Sequence, residues 1–184
     1  VESSVQGMDV QRRMMLTGGK EHLMAADHDM GGMAMDGEIC KPTWVLLSPD
    51  DTRIYVPCNG RGDVLEIDAE SMEVLRRFPT GAGPYNLDIT PDGQKLVVTL
   101  KGAQSVAIFD LETGEETRIA TSQPVTHGVA ITPDGRFAFV SNESIGATRG
   151  TVDIIDIAAG AVVASTPLHF QPGGLAMWKM EGGE

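Results

Sequence analysis

The sequence has little positive charge. Its 184 residues include 14 lysines and arginines against 26 aspartates and glutamates, which gives a formal net charge of −12. A surface of that sign repels the phosphates of nucleic acids and the headgroups of anionic lipids, so partners of these two classes are disfavoured. Long apolar runs are also missing, since no stretch approaches the roughly 18 to 20 apolar residues of a membrane span. We therefore expect no nucleic-acid partner and no membrane span in this chain.

The motifs of several enzyme classes are missing too. There is no glycine-rich phosphate loop, no nucleophile elbow and no zinc signature in the sequence. It has two cysteines and neither a C-x-x-C nor a C-x-x-C-H motif, so a thioredoxin-like site and a c-type haem are unsupported. We expect a non-catalytic protein with no certain cofactor.

A repeat of 42 residues organises most of the chain. Three segments align without a gap, namely TWVLLSPDDTRIYV, YNLDITPDGQKLVV and HGVAITPDGRFAFV, and their prolines Pro49, Pro91 and Pro133 lie 42 residues apart. Apolar residues alternate at period two, which predicts strands, and the TPDG sequence between them predicts a tight turn. A period of about 40 to 45 residues is typical of a four-stranded propeller blade. The sequence therefore predicts an all-β propeller.

The repeat can be written P-x-(N/G)-φ-x-φ-(S/T)-P-D-(G/D)-x-x-φ-φ-V, followed by V-x-φ-φ-D. From Pro42 to Met180 it resembles the YVTN family of β-propeller repeats. The resemblance implies blades of four antiparallel strands, and the ending QPGGLAMWKM resembles a closing strand of that family. Several propeller enzymes, including haem d1 and copper reductases, also resemble this family. The resemblance thus leaves open an active site in blades beyond those seen here.

The repeat divides the chain into six parts. Residues 1–17 align with the third and fourth strands of a blade, 18–41 form an insertion loop, 42–83, 84–125 and 126–171 are full blades, and 172–184 are a closing first strand with a tail. Three full blades are too few for a ring, because propellers use about four to eight. We therefore expect an incomplete ring whose open edges bind the remaining blades or a protein partner.

The two cysteines, Cys40 and Cys58, are expected on one face of the blades. The connection into a first strand and the loop after a second strand lie on the same face, because the chain runs up and down through each blade. Free thiols, metal ligands and a disulfide are the alternatives, and we favour the disulfide. A disulfide indicates an oxidising compartment, so we expect a periplasmic or otherwise extracytoplasmic protein.

Other candidate residues lie on this face or at the mouth of the central channel: His127, Trp44, Tyr85, Arg61 and Arg149. We expect His127 to be hydrogen-bonded and Trp44 to fill the channel. Arg61-Gly62-Asp63 spells an adhesion tripeptide, but its aspartate aligns with the start of a strand, which favours a chance match.

The insertion is rich in methionine and histidine, and seven of the ten methionines lie in the first 35 residues. Thioethers and imidazoles together select Cu(I). The candidate ligands are His22, Met24, His28, Met30, Met33 and Met35. The interpretation that we favour is a flexible Met-rich loop that packs on a neighbour.

The function predicted from these features is a non-catalytic, extracytoplasmic scaffold that binds protein as part of a larger assembly. Two alternatives are a copper-handling module and part of a propeller redox enzyme.

Overall fold

The computed structural model describes residues 12–17, 20–25 and 39–179. This part of the chain contains fourteen strands and no helix, and it therefore contains no helix long and apolar enough to cross a membrane. The strands are β1 (Arg12–Thr17), β2 (Lys20–Ala25), β3 (Leu46–Leu47), β4 (Arg53–Cys58), β5 (Asp63–Asp68), β6 (Val74–Pro79), β7 (Pro84–Ile89), β8 (Lys95–Leu100), β9 (Ser105–Asp110), β10 (Glu116–Ala120), β11 (Thr126–Ile131), β12 (Phe137–Asn142), β13 (Thr151–Asp156) and β14 (Ala161–Pro167).

Twelve of these strands form three antiparallel sheets of four strands each. Their orders are β3-β4-β5-β6, β7-β8-β9-β10 and β11-β12-β13-β14, so each sheet is one blade in chain order. The prediction of four-stranded antiparallel blades is confirmed. In the described part of the chain the three blades form an open array and do not close into a ring.

The blades pack face to face, and the middle blade is buried on both faces. Leu96 and Val98 of β8 pack in a cluster with residues of the first blade. Val97, between them in sequence, packs in a second cluster with residues of the third blade. Successive side chains of a strand point to opposite faces, so a strand buried on both faces must be almost continuously apolar. This requirement accounts for the run LVV in the middle blade.

The turn between the first two strands of each blade has the same hydrogen bonds. In the second blade Asp92 Oδ1 accepts from the hydroxyl of Thr90 at 2.6 Å and from the backbone amide of Gln94 at 3.0 Å. These hydrogen bonds lower the pKa of Asp92, and the bond from the Thr90 hydroxyl has the largest effect. Gly93 follows with φ of 72°, a conformation that favours glycine. The motif (S/T)-P-D is therefore explained by the turn that it closes.

A hydroxyl group joins the second blade to the third near the inner strands. Thr99 Oγ1 accepts from the backbone amide of Asn86 at 3.0 Å and donates to the backbone carbonyl of His127 at 2.7 Å. The pairing register of β7 with β8 shifts between Pro84 and Leu87. The Thr99 hydroxyl thus bonds an amide that lies within this irregularity, and it also fixes the position of the next blade.

The third blade repeats this arrangement with Ser141. Its hydroxyl accepts from the amide of Gly128 at 2.9 Å and donates to the carbonyl of Gly173. The first blade has Pro57 at the aligned position, and there Thr43 Oγ1 instead donates to the carbonyl of Tyr85 at 2.6 Å. Aligned carbonyls at the starts of successive blades therefore each accept a hydroxyl.

Gly173 takes the place that His127 takes one blade earlier, but the segment after it is not a strand. We expected a closing first strand within 172–184, whereas residues 172–179 have no strand structure and 180–184 lie outside the described residues. The physical reason is the lack of a partner, because no described strand pairs with this segment. The segment therefore has no ladder hydrogen bonds with the described strands.

A second difference concerns residues 18–41, which we expected to be an irregular loop. Lys20–Ala25 form strand β2, which pairs with β1 from Arg12↔Ala25 to Thr17↔Lys20. The register shows that β1 and β2 form an antiparallel hairpin. The expected strand at 12–17 is present, and the expected strand at 4–9 lies outside the described residues.

Replacing Thr99 with valine tests the hydroxyl contact. The substitution keeps the shape of the side chain and leaves the amide of Asn86 without its hydroxyl partner. We expect the free energy of unfolding to fall by about 1–3 kcal/mol, measured by urea denaturation. Thr166→Val, at an exposed position of β14, is the matched control and should change stability by less than about 0.5 kcal/mol. Equal effects of the two variants would contradict the contact.

Candidate functional site

One face of the array collects the ends of the second strands and the starts of the first strands. The residues that follow β4, β8 and β12 are Asn59, Lys101 and Glu143, spaced at the repeat. They reach toward the starts of β7 and β11. For example, Asn59 Nδ2 donates to the carbonyl of Pro84 at 3.2 Å. We call this surface the loop face.

The structure joins Cys40 to Cys58 in a disulfide on the loop face, as the sequence predicted. Both cysteines are fully buried, and they pack with Val56 and Leu65 of the first blade. The amide of Gly60 donates to the carbonyl of Cys40 at 2.9 Å, so the backbone is fixed beside the bridge. The disulfide holds the end of the insertion against the end of β4 in the first blade.

Four side chains form a cluster at the starts of β7 and β11. Glu143 lies between His127 and Lys101, with its carboxylate oxygens 3.2 Å from His127 Nε2 and 3.3 Å from Lys101 Nζ. The rings of Tyr85 and His127 lie 4.5 Å apart, and Lys101 Nζ lies 4.4 Å from the Tyr85 ring centroid. His127 and Tyr85, both predicted from the sequence, are thus brought together. Lys101 and Glu143 were not predicted from the sequence, although their spacing of 42 residues indicates a shared position in the repeat.

Burial lowers the pKa of His127, and the positive charge of Lys101 acts in the same direction, against an opposing effect of Glu143. His127 Nε2 lies at ion-pair distance from Glu143, and the expected hydrogen bond of this histidine stays a prediction. Its Nδ1 atom is buried and has no hydrogen-bond partner among the described residues. The cluster therefore brings the imidazole of His127 together with a carboxylate, an ammonium group and an aromatic ring.

Trp44 lies at the open side of the first blade. It is 48% exposed and lines an apolar groove of 630 Å³. The other residues lining the groove are Leu16, Pro42, Thr43, Val45 and Val56. We expected Trp44 to fill the central channel, and this stays a prediction because the described blades do not enclose a channel.

The two arginines predicted from the sequence, Arg61 and Arg149, have different surroundings. Arg61 Nε lies 3.0 Å from both carboxylate oxygens of Asp63, and Arg77 Nη1 lies 3.2 Å from the same group. Asp63 begins β5 and is only 8% exposed. Its carboxylate is therefore engaged within the blade, in agreement with a chance match to the adhesion tripeptide. Arg149 is exposed in the loop between β12 and β13.

A buried carboxylate that the sequence analysis missed holds the connection between the second and third blades. Asp153 is fully buried and accepts from the amide and hydroxyl of Ser122 at 2.8 and 2.6 Å, from the Ser165 hydroxyl at 2.6 Å and from Asn142 Nδ2 at 2.9 Å. The aligned position in the second blade is Ala107. The sequence does indicate that Asp153 is unusual, because the aligned positions in the other two blades carry the apolar residues Leu65 and Ala107.

The copper ligands proposed from composition are only partly placed. His22 and Met24 lie in β2, whereas His28, Met30, Met33 and Met35 lie outside the described residues. Within the described ranges, no three or more His, Cys, Asp and Glu side chains form a group that could hold a metal ion.

No family model and no curated protein matches the chain. Solved structures do match. U3-55K covers 71% of this chain at 14% identity and a TM-score of 0.63, and the WD40 repeats of RRP9 cover 67% at 14% identity and a TM-score of 0.60. Kuenenia stuttgartiensis hydrazine synthase covers 77% at 21% identity and a TM-score of 0.46.

These similarities concern the fold alone. The matched regions are 40%, 38% and 53% of those three chains, so this chain spans about half or less of the structures that it resembles. Together with the three sheets, the similarity to U3-55K and to the WD40 repeats of RRP9 identifies the described part of the chain as β-propeller blades.

Removing the disulfide tests its part in holding the loop face. We expect Cys40→Ala/Cys58→Ala to lose about 3 kcal/mol of unfolding free energy, because the bridge closes a loop of 18 residues. Urea denaturation of the variant, and of the native chain with and without reductant, measures the loss. An unchanged midpoint in both comparisons would contradict this role.

The pKa shift of His127 makes stability depend on pH. A lowered pKa means that the unfolded chain binds the proton more readily, so stability is lost as the pH falls below about 6.5 toward the folded value. We expect His127→Gln to flatten this dependence in urea titrations between about pH 5 and 7.5. His169→Gln, at an exposed position, is the control. A dependence that persists unchanged in His127→Gln would contradict the assignment.

Proposed function

We propose that the chain is a non-catalytic scaffold, a segment of a YVTN-type propeller that binds protein through the open sides of its blade array. The occupant that we propose is a further blade, supplied by the rest of the propeller or by a partner subunit. The observation that carries this proposal is that both open sides have the apolar character of the contacts between the blades.

The third blade gives the clearer case. In the second blade Val97, Val106 and Ile108 are buried against the third blade. The positions aligned with Val97 and Ile108 carry Phe139 and Ile154 in the third blade, and these side chains are only half-buried. The third blade thus presents an apolar packing face at the side where Gly173 occupies the first position of a further blade.

The first blade supports the same conclusion from the other side. Val56 and Leu65 lie on the face away from the second blade, in the cluster that Leu16 of β1 partly covers. Beside them Trp44 and Val45 remain 48% and 63% exposed along the apolar groove. An exposed apolar surface next to an unpaired strand edge favours association with another chain.

The disulfide supports an extracytoplasmic location for this scaffold. Disulfides persist in oxidising compartments and are rare in the cytosol. The bridge between Cys40 and Cys58 is buried within the fold, where it has a structural role. We therefore propose a periplasmic or comparable location.

Analytical ultracentrifugation of the purified chain tests the scaffold proposal. We expect species heavier than 19.6 kDa, because the open apolar sides associate when no further blade covers them. Ile154→Glu should shift the chain toward the monomer, since it places a charge in the proposed packing face.

The matched control is Val163→Glu. Val163 is 55% exposed on β14, the outermost strand of the same blade. It should leave association unchanged. A native chain that sediments as a compact, non-aggregating monomer would overturn the proposal.

A further inference from the structure

The first strand of the first blade lacks a cover that the first strand of the second blade has. Leu87 and Ile89 of β7 are buried and pack in a cluster with Tyr55 of the first blade. Their aligned residues in the first blade, Val45 and Leu47, are 63% and 49% exposed. These two repeat positions are therefore buried where a described blade precedes them and exposed where none does.

The hairpin of β1 and β2 covers another part of this free face. Leu16 of β1 packs against the cluster that contains Val56 and Leu65. Leu16 also lines the apolar groove together with Trp44 and Val45, so the groove lies between the hairpin and the first strand of the blade. In the repeat, β1 aligns with the outermost strand of a preceding blade. This side of the array thus has a cover at the position of outer strands, and in the described part of the chain it has none at the position of an inner strand.

The opposite side of the array has the complementary deficit. The Ser141 hydroxyl donates to the carbonyl of Gly173, and a Cβ atom added to Gly128 would meet that carbonyl oxygen at 2.7 Å. Residues 173–178, which we call the end segment, therefore begin in direct contact with β11. They align with the inner strand of a blade, and no described strand pairs with them.

The side chains of the end segment alternate in exposure. Leu175 and Met177 are half-buried, whereas Ala176 and Trp178 are exposed, Trp178 by 90%. This alternation is typical of an extended strand with one covered face. The end segment therefore presents a second, uncovered face that includes a tryptophan.

The second blade shows what this uncovered face meets when another blade follows. Asp88 of β7 aligns with Ala176, and its Oδ2 atom accepts from the amide of Ile131 in β11 at 2.7 Å. Ile131 aligns with Leu47 of the first blade. In the repeat, the uncovered face of the end segment at Ala176 thus corresponds to the free face of a first blade at Leu47.

We infer that the partner is a second copy of this chain, whose end segment lies in the groove beside Val45 and Leu47. The inference rests on the proposed scaffold function and specifies the partner. Each junction then contains one composite blade, with its inner strand from one copy and the β1–β2 hairpin from the other. Because the two joined surfaces differ, the contact is head-to-tail and closes when the second junction forms. Two copies give six full and two composite blades, within the range of about four to eight that propellers use.

Sedimentation equilibrium of Leu47→Glu tests the groove side of the junction. We expect the native chain to form a dimer of about twice 19.6 kDa. Leu47→Glu should raise the dissociation constant of this dimer about tenfold or more, since it places a charge in the junction. Leu75→Glu is the matched control, an identical substitution of an equally exposed leucine on β6 of the same blade. It should change the dissociation constant by less than about twofold.

The outcomes separate this inference from the scaffold proposal. A native chain that stays monomeric would overturn both. Native-like association of Leu47→Glu, or equal weakening by Leu47→Glu and Leu75→Glu, would overturn the inference and leave the scaffold proposal standing. Circular dichroism and melting curves verify that each variant is folded.

A mixing experiment tests the head-to-tail arrangement. Leu47→Glu damages the groove side and Ile154→Glu the end-segment side, so each variant alone has a lesion in both junctions of its dimer. A heterodimer of the two has one intact junction. We expect the fluorescently labelled Leu47→Glu chain to bind Ile154→Glu at least about tenfold more tightly than either variant binds itself. No gain on mixing would overturn the inference, because a contact between two like surfaces gives none.

Discussion

The packing of one blade against the next is the constraint on which the rest of this structure depends. A four-stranded antiparallel sheet with two apolar faces is not stable alone in water, because neither face is covered. The middle blade meets this need with a neighbour on each side. The hydroxyl of Thr99 orients this contact, because it joins an amide of the second blade to a carbonyl at the start of the third. Ser141 makes the corresponding bonds with Gly128 and Gly173. Apolar burial supplies the stability and the hydroxyls fix the relative position.

The loop face is held by different means. The disulfide fixes the residues before the first blade, and Asp153 fixes the connection before the third through hydroxyl and amide donors. Between them, Glu143 joins His127 to Lys101 across the second and third blades. The loop face therefore has polar and covalent ties, whereas the two open sides of the array are apolar. This contrast is the reason that we assign protein association to the open sides.

The blades could be predicted from the sequence because they repeat. The spacing of Pro49, Pro91 and Pro133 reveals the period, and the alternation around them gives the strands. The disulfide was also predictable, since the path of the chain places Cys40 and Cys58 on one face. The Glu143 contacts were not, because they depend on side-chain packing between blades. The pairing of β1 with β2 was not predicted, because the 42-residue repeat does not extend to residues 20–25.

The central claim is that hydroxyls near the inner strands fix each blade against the next. Hydrogen exchange at the amides of Asn86 and Gly128 tests it most directly, because both amides lie within register irregularities and donate to a hydroxyl. The account predicts that both amides exchange as slowly as amides within the β7–β8 and β11–β12 ladders, and that each loses protection when its own hydroxyl is removed, in Thr99→Val or Ser141→Ala. Exchange as fast as in the exposed turns, or protection that survives these substitutions, would contradict it.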